Sequence, residues 1–141
     1  MTAHELQLVL ARIAKRAFFF DADQNETELV EVNQRSWAGD YPLHIAAMLG
    51  DVYEVEVLLQ NGALIDARGE KSMTPLNYAA MKNHEDVARA LVRKGANPNL
   101  ADTDGRKPSA WAKTAGYGNL ASMLTAAEKS FGRPDHRSED V

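Results

Sequence analysis

Thr74-Pro75-Leu76-Asn77-Tyr78-Ala79-Ala80-Met81 is the stretch that decides the fold, because the chain repeats it on either side. Pro42-Leu43-His44-Ile45-Ala46-Ala47-Met48 stands 33 residues earlier, and Pro108-Ser109-Ala110-Trp111-Ala112-Lys113 stands 33 residues later. A fixed period of this size marks an array of stacked supersecondary units, each unable to bury its apolar face alone.

Other positions keep the same register as the prolines. Leu58, Leu91 and Leu124 align, as do Asn33, Asp66 and Asn99. Gly62-Ala63 matches Gly95-Ala96, and Gly50 and Gly116 share a slot with Asn83. Proline fits the first turn of a helix, where its missing N–H is an orphan in any case. Thr74, just before Pro75, supplies a hydroxyl to cap the free amides. Val55, Leu58 and Leu59 recur at helical spacing, as do Val87, Ala88, Leu91 and Val92. Each unit therefore reads as a short helix, a turn, a longer helix and an extended polar connection.

The period, the Thr74-Pro75-Leu76 motif, the alanine pairs and the glycine-alanine terminators resemble the ankyrin repeat family, over about residues 33 to 128. The resemblance implies an all-α solenoid of stacked helix-turn-helix units with projecting β-hairpin fingers. Departures from the pattern carry expectations of their own. Tyr41 and Lys107 replace the capping threonine, and Asp40 is placed to cap the first repeat instead. Glu54 occupies the slot of Val87 and Leu120, which suggests a rotated or solvated long helix there. Glu128-Lys129 replaces the third terminator, as suits a terminal unit.

The period divides the chain into an N-terminal cap and acidic segment (1–32), three repeats within 33–130 (about 39–71, 72–104 and 105–130) and a tail (131–141). Thr2 and Glu5 form a capping-box pattern, and Leu6, Leu8, Val9, Leu10, Ile13, Ala14 and Ala17 form an apolar face. A helix from about Ala3 to Phe18 is expected to cover the first repeat, with Phe18, Phe19 and Phe20 packed beneath. The tail is polar, contains Gly132 and Pro134, and is expected to be disordered.

Composition narrows the function. The net charge of −4 argues against nucleic acid as a partner, since such binders need a basic stripe. No apolar run reaches membrane-spanning length. The chain has no cysteine, which excludes disulfides and thiolate metal sites and fits a cytoplasmic protein. No nucleophile elbow, phosphate loop, zinc motif or dinucleotide fingerprint occurs, so the chain is not expected to be an enzyme or to hold a cofactor. Asp21-Ala22-Asp23-Gln24-Asn25 begins like a calcium loop. Glu26 and Val32, however, stand where that loop needs its glycine and its bidentate glutamate, so a solvated acidic loop is expected.

Arrays of this kind bind partners along a concave face. The finger residues expected to contact a partner are Arg35, Trp37, Arg68, Glu70, Lys71 and Met73, with Asp102, Asp104 and Arg106 in the third finger. On the helices, Met48 and Met81 stand one repeat apart beside Leu49 and Lys82, and the resemblance puts these four on the concave side. Trp37 reads either as an exposed anchor or as a lid folded onto Phe18 to Phe20. Tyr78, Trp111 and Ile45 align at a slot that suits packing between repeats. The resemblance implies backbone hydrogen bonding for His44 and His84. The function that follows is a protein-binding module, monomeric when free. The carboxylates Asp21, Asp23, Glu26, Glu28 and Glu31 favour a basic partner. Two other outcomes share the same surface: an inhibitor or immunity protein that neutralises a toxin or enzyme, and a self-associating scaffold unit.

Overall fold

Proline opens each short helix of the computed structural model, which describes residues 3–17 and 31–133. Three helix pairs follow the period: α2 (Pro42–Leu49) with α3 (Val52–Gln60), α4 (Pro75–Met81) with α5 (Glu85–Arg93), and α6 (Pro108–Ala115) with α7 (Gly118–Ser130). They are preceded by α1 (Ala3–Ala17). Helix α4 starts as the sequence requires, with the Thr74 hydroxyl accepting the amide of Asn77 at 3.2 Å. Helix α2 starts differently. Asp40 does not cap it; the amide of Tyr41 donates to His44 Nδ1 at 3.0 Å.

The short helices end in the left-handed region, at Gly50 (φ 81°), Asn83 (φ 59°) and Gly116 (φ 82°), the three aligned positions. Gly50 is needed for a second reason. A Cβ there would lie 2.5 Å from the His84 ring. That ring donates from Nε2 to the carbonyl of Met48 at 2.9 Å and so ties the second repeat to the first.

The short helices stack as α2, α4 and α6, and α3 packs on α5 behind them. Their shared core runs from Leu43, Val55 and Leu58 through Leu76, Val87 and Leu91 to Leu120 and Leu124. The paired alanines, Ala46-Ala47 and Ala79-Ala80, are fully buried between neighbouring units. Lysine replaces the second alanine at Lys113, and Thr125 stands where Val92 packs on the core, so the outer face of the third repeat is polar. Helix α7 also runs on to Ser130, past the point at which α3 and α5 end.

Helix α1 lies against α2 and α3 and buries Val9, Leu10, Ile13 and Ala14, the one-face spacing of an amphipathic helix. Leu8, assigned to that face from sequence, is exposed. Phe18 to Phe20, the segment from Asp21 to Val30 and the tail from 134 lie outside the described residues.

The expected β-hairpin fingers are tighter than hairpins. Each is a turn closed across its base by one backbone bond, Ser36 to the carbonyl of Asp40 at 2.7 Å, Gly69 to Met73 at 2.8 Å and Asp102 to Arg106 at 3.0 Å, with a tighter bond inside the turn from Gly39 to Ser36 (2.9 Å), Ser72 to Gly69 (3.0 Å) and Gly105 to Asp102 (3.0 Å). One such bond does not make a ladder, and no strand occurs among the described residues. Side chains splice the fingers together. Arg35 donates to the carbonyl of Arg68 at 2.9 Å, and Arg68 donates to that of Ala101 at 2.6 Å. His44 and Asn77, aligned residues, each reach forward to the next finger, at Ala67 (2.9 Å) and Leu100 (3.2 Å). Both series stop at small residues, Ala101 and Ala110, in the third repeat.

Candidate functional site

Burial sorts the sequence-expected residues of the fingers and short helices into two groups. Met73 is only 4% exposed, and its carbonyl accepts from both His44 Nε2 and the Gly69 amide. Asp102 is likewise buried. Its carboxylate accepts the amides of Asp104 (2.9 Å) and Arg106 (3.0 Å) and the indole N–H of Trp111 (3.1 Å). Burial by itself would raise that carboxyl, but these donors and the Arg106 charge together hold it below the usual carboxylate range. Met73 and Asp102, expected to face a partner, are instead parts of the finger framework.

Three arginines assigned to the surface are also structural. Arg35 bonds Gly39 and Arg68 carbonyls, and its guanidinium lies 5.3 Å from the centre of the Tyr41 ring. Arg68 is half-buried between Ser72 (2.9 Å) and Ala101. Arg106 lies 3.9 Å above the Trp111 ring and pairs with both Asp102 and Asp104. Asp104 is exposed, but its charge is compensated by that pair.

The exposed group is Trp37, Leu49, Glu70, Lys71 and Lys82, with Met48 and Met81 half-buried behind it. Trp37 stands 79% exposed; its other reading, a lid on Phe18 to Phe20, falls on residues outside those described. Its counterparts one and two repeats on are Glu70 and Thr103, ordinary residues for solvent. Lys71 and Ser72 both have positive φ (53° and 61°), so the tip of the second finger holds two non-glycine residues in the left-handed region.

Two interactions beneath this surface escaped the sequence reading. Asp40 is buried and bonds the Glu70 amide and the Tyr78 hydroxyl, each at 3.0 Å, locking the first finger to the second. Burial and the adjacent Asp40 carboxylate push the Tyr78 hydroxyl well up. Glu54 is neither solvated nor rotated outward. It is 0% exposed and pairs with Arg12 (3.1 Å) and Arg16 (2.9 Å) of α1. The signal was present in the spacing, because Arg12 and Arg16 stand four apart on one helix face.

His44 is fully buried. Nδ1 accepts from Tyr41, so the proton sits on Nε2, shared between the Ala67 and Met73 carbonyls. Burial lowers its pKa, against the opposing pull of Asp40. Among the described residues no three His, Asp or Glu side chains converge to hold a metal ion, and no helix is long and apolar enough to cross a membrane.

A model of ankyrin repeats in three copies matches residues 10–102. The chain belongs to the ankyrin repeat family. It is 30% identical over 105 residues to human ankyrin repeat domain-containing protein 63, covering 72% of this chain and 28% of that protein. It is 39% identical over 67 residues to mouse protein phosphatase 1 regulatory subunit 27, covering 48% of this chain and 44% of that one. It is 36% identical over 63 residues to the ADP-ribosylation factor GTPase-activating protein AGD4 of Arabidopsis thaliana, covering 45% of this chain and 8% of that one. The chain thus spans less than half the length of each of these relatives. Ankyrin repeats are in general protein–protein interaction modules and not enzymes.

Proposed function

We propose that the chain binds another protein through the fingers and short helices, with Trp37 as the anchor. The observation that carries this reading is the exposure of Trp37 on a finger whose other arms are spliced rigidly to their neighbours. A large aromatic left in water on a fixed support is the composition of a binding hot spot. The rigid support also lowers the ordering cost of association. Leu49, at the end of α2 in the same repeat, is a second exposed apolar side chain, and Met48 and Met81 supply side chains that can adapt to a partner.

A photo-crosslinking residue at position 37, compared with one at Glu56 on α3, tests the reading in cells. A protein captured from position 37 and not from position 56 supports it, and equal capture from both refutes it. Truncating an anchor of this kind costs about 2 kcal/mol, roughly thirtyfold in affinity, so Trp37→Ala should release the captured partner. The similarity to a phosphatase regulatory subunit favours an enzyme as partner, which makes inhibition the second outcome to assay once the partner is in hand.

A further inference from the structure

The chemistry of the binding face changes from one repeat to the next, and the register of the stack shows how. Trp37 and Leu49 of the first repeat are exposed and apolar. Glu70 and Lys82 hold the same two positions in the second repeat, with Lys71 beside Glu70. Lys71 and Lys82 are exposed, and neither has an ion pair among the described residues. Lys107 of the third finger reaches only the neutral Asn99, at 3.5 Å.

The acids on this face are largely spent. Asp40 and Asp102 are buried and hydrogen-bonded, and Asp104 is paired with Arg106. Glu70 alone remains to balance three lysines. The chain's net charge of −4 counts Asp21, Asp23, Glu26, Glu28 and Glu31; without those five it is +1.

We infer that the occupant of this face is an acidic segment of a partner protein, with apolar residues seated at Trp37 and at Leu49 and carboxylates seated at Lys71 and Lys82. The inference rests on the docking face proposed above and adds the partner's chemistry. Directly packed helices such as α2 and α4 lie about 8–10 Å apart. At about 3.3 Å per residue, an extended segment covers that step in about three residues. The recognised pattern is therefore a bulky apolar residue with an aspartate or glutamate three positions away. Charge of this kind acts mainly on the rate of encounter and on the choice of partner.

Short random peptides displayed on phage, selected on the full chain and counter-selected on Trp37→Ala/Leu49→Ala, test this directly. The expected enrichment is in aspartate and glutamate about three positions from an apolar residue. A synthetic peptide of that pattern should lose about tenfold or more in affinity to Lys71→Glu/Lys82→Glu, and it should weaken as salt is raised. Selection of basic or uncharged peptides that still depend on Trp37 overturns the acidic assignment and leaves the docking face standing. Failure to recover any peptide that depends on Trp37 and Leu49 overturns the docking face itself.

Discussion

Glu54→Gln should loosen the N-terminal cap while leaving the repeats stacked. The carboxylate is fully buried, and it bonds two guanidiniums that are 49% and 39% exposed. A charge-assisted bond is worth about 1.5–3 kcal/mol when well desolvated. Half-exposed partners keep much of their hydration, so roughly half of that survives here. The two bonds together then contribute about 2 kcal/mol. Glutamine keeps the shape but turns an N–H₂ toward a guanidinium, so most of this is lost. Unfolding entropy of about 2.1 cal/mol/K per residue converts 2 kcal/mol to a fall of about 7 °C in Tm for a chain of this size. Arg12→Ala/Arg16→Ala should be worse, about 3 kcal/mol or more, because the carboxylate stays buried without a partner. Glu54→Leu should be nearly neutral, within about 1 kcal/mol, because it removes the charge and both arginines can turn to water. Leucine already fills the matching position at Leu120. Thermal unfolding followed by circular dichroism gives the order, and hydrogen exchange in α1 localises it. If the double arginine variant melts like the parent, or if leucine costs as much as glutamine, the carboxylate does not hold the cap and the reasoning fails.

Three further outcomes can be checked by the same unfolding measurements. His44 is neutral and its pKa is lowered by burial, so the unfolded chain takes up the proton first. Stability should therefore hold above about pH 6.5 and fall as pH drops below it, and His44→Gln should flatten that fall. Ser72 stands where the first and third fingers have Gly39 (φ 97°) and Gly105 (φ 79°). Relief of about 1 kcal/mol of left-handed strain, less roughly half of that for the looser unfolded chain, should make Ser72→Gly stabilising by about 0.5 kcal/mol; a lower Tm would count against strain at that tip. Asn77 Oδ1 is buried without a partner, whereas both ring nitrogens of the aligned His44 are bonded. Asn77→His should stabilise by about 1 kcal/mol, and a destabilised variant would show that the imidazole does not fit the second repeat.

The repeat architecture was legible because its causes are local and periodic. Proline at the first turn, a left-handed residue at Gly50, Asn83 and Gly116, and leucines at fixed register act within a few residues, and they act alike in every unit. The extent of α1 was legible for the same reason. The candidate site was less so. Trp37, Leu49, Lys71 and Lys82 stand on the surface as expected, but Met73 and Asp102 do not, although a loop position gave no hint of that. Burial in a finger depends on the neighbouring finger, which lies 33 residues away.

Each repeat states its own caps and apolar stripe, so the repeating unit and its helices follow from residues close together in the chain. Which polar residues are free depends on how the units stack. Asp40 and Tyr78, Glu54 and the α1 arginines, and Arg68 and the Ala101 carbonyl meet across repeats. A buried carboxylate or guanidinium must find its partner wherever the stack brings one. Stacking ties up these groups, and it leaves an exposed tryptophan and three lysines on the face where a partner is proposed to bind.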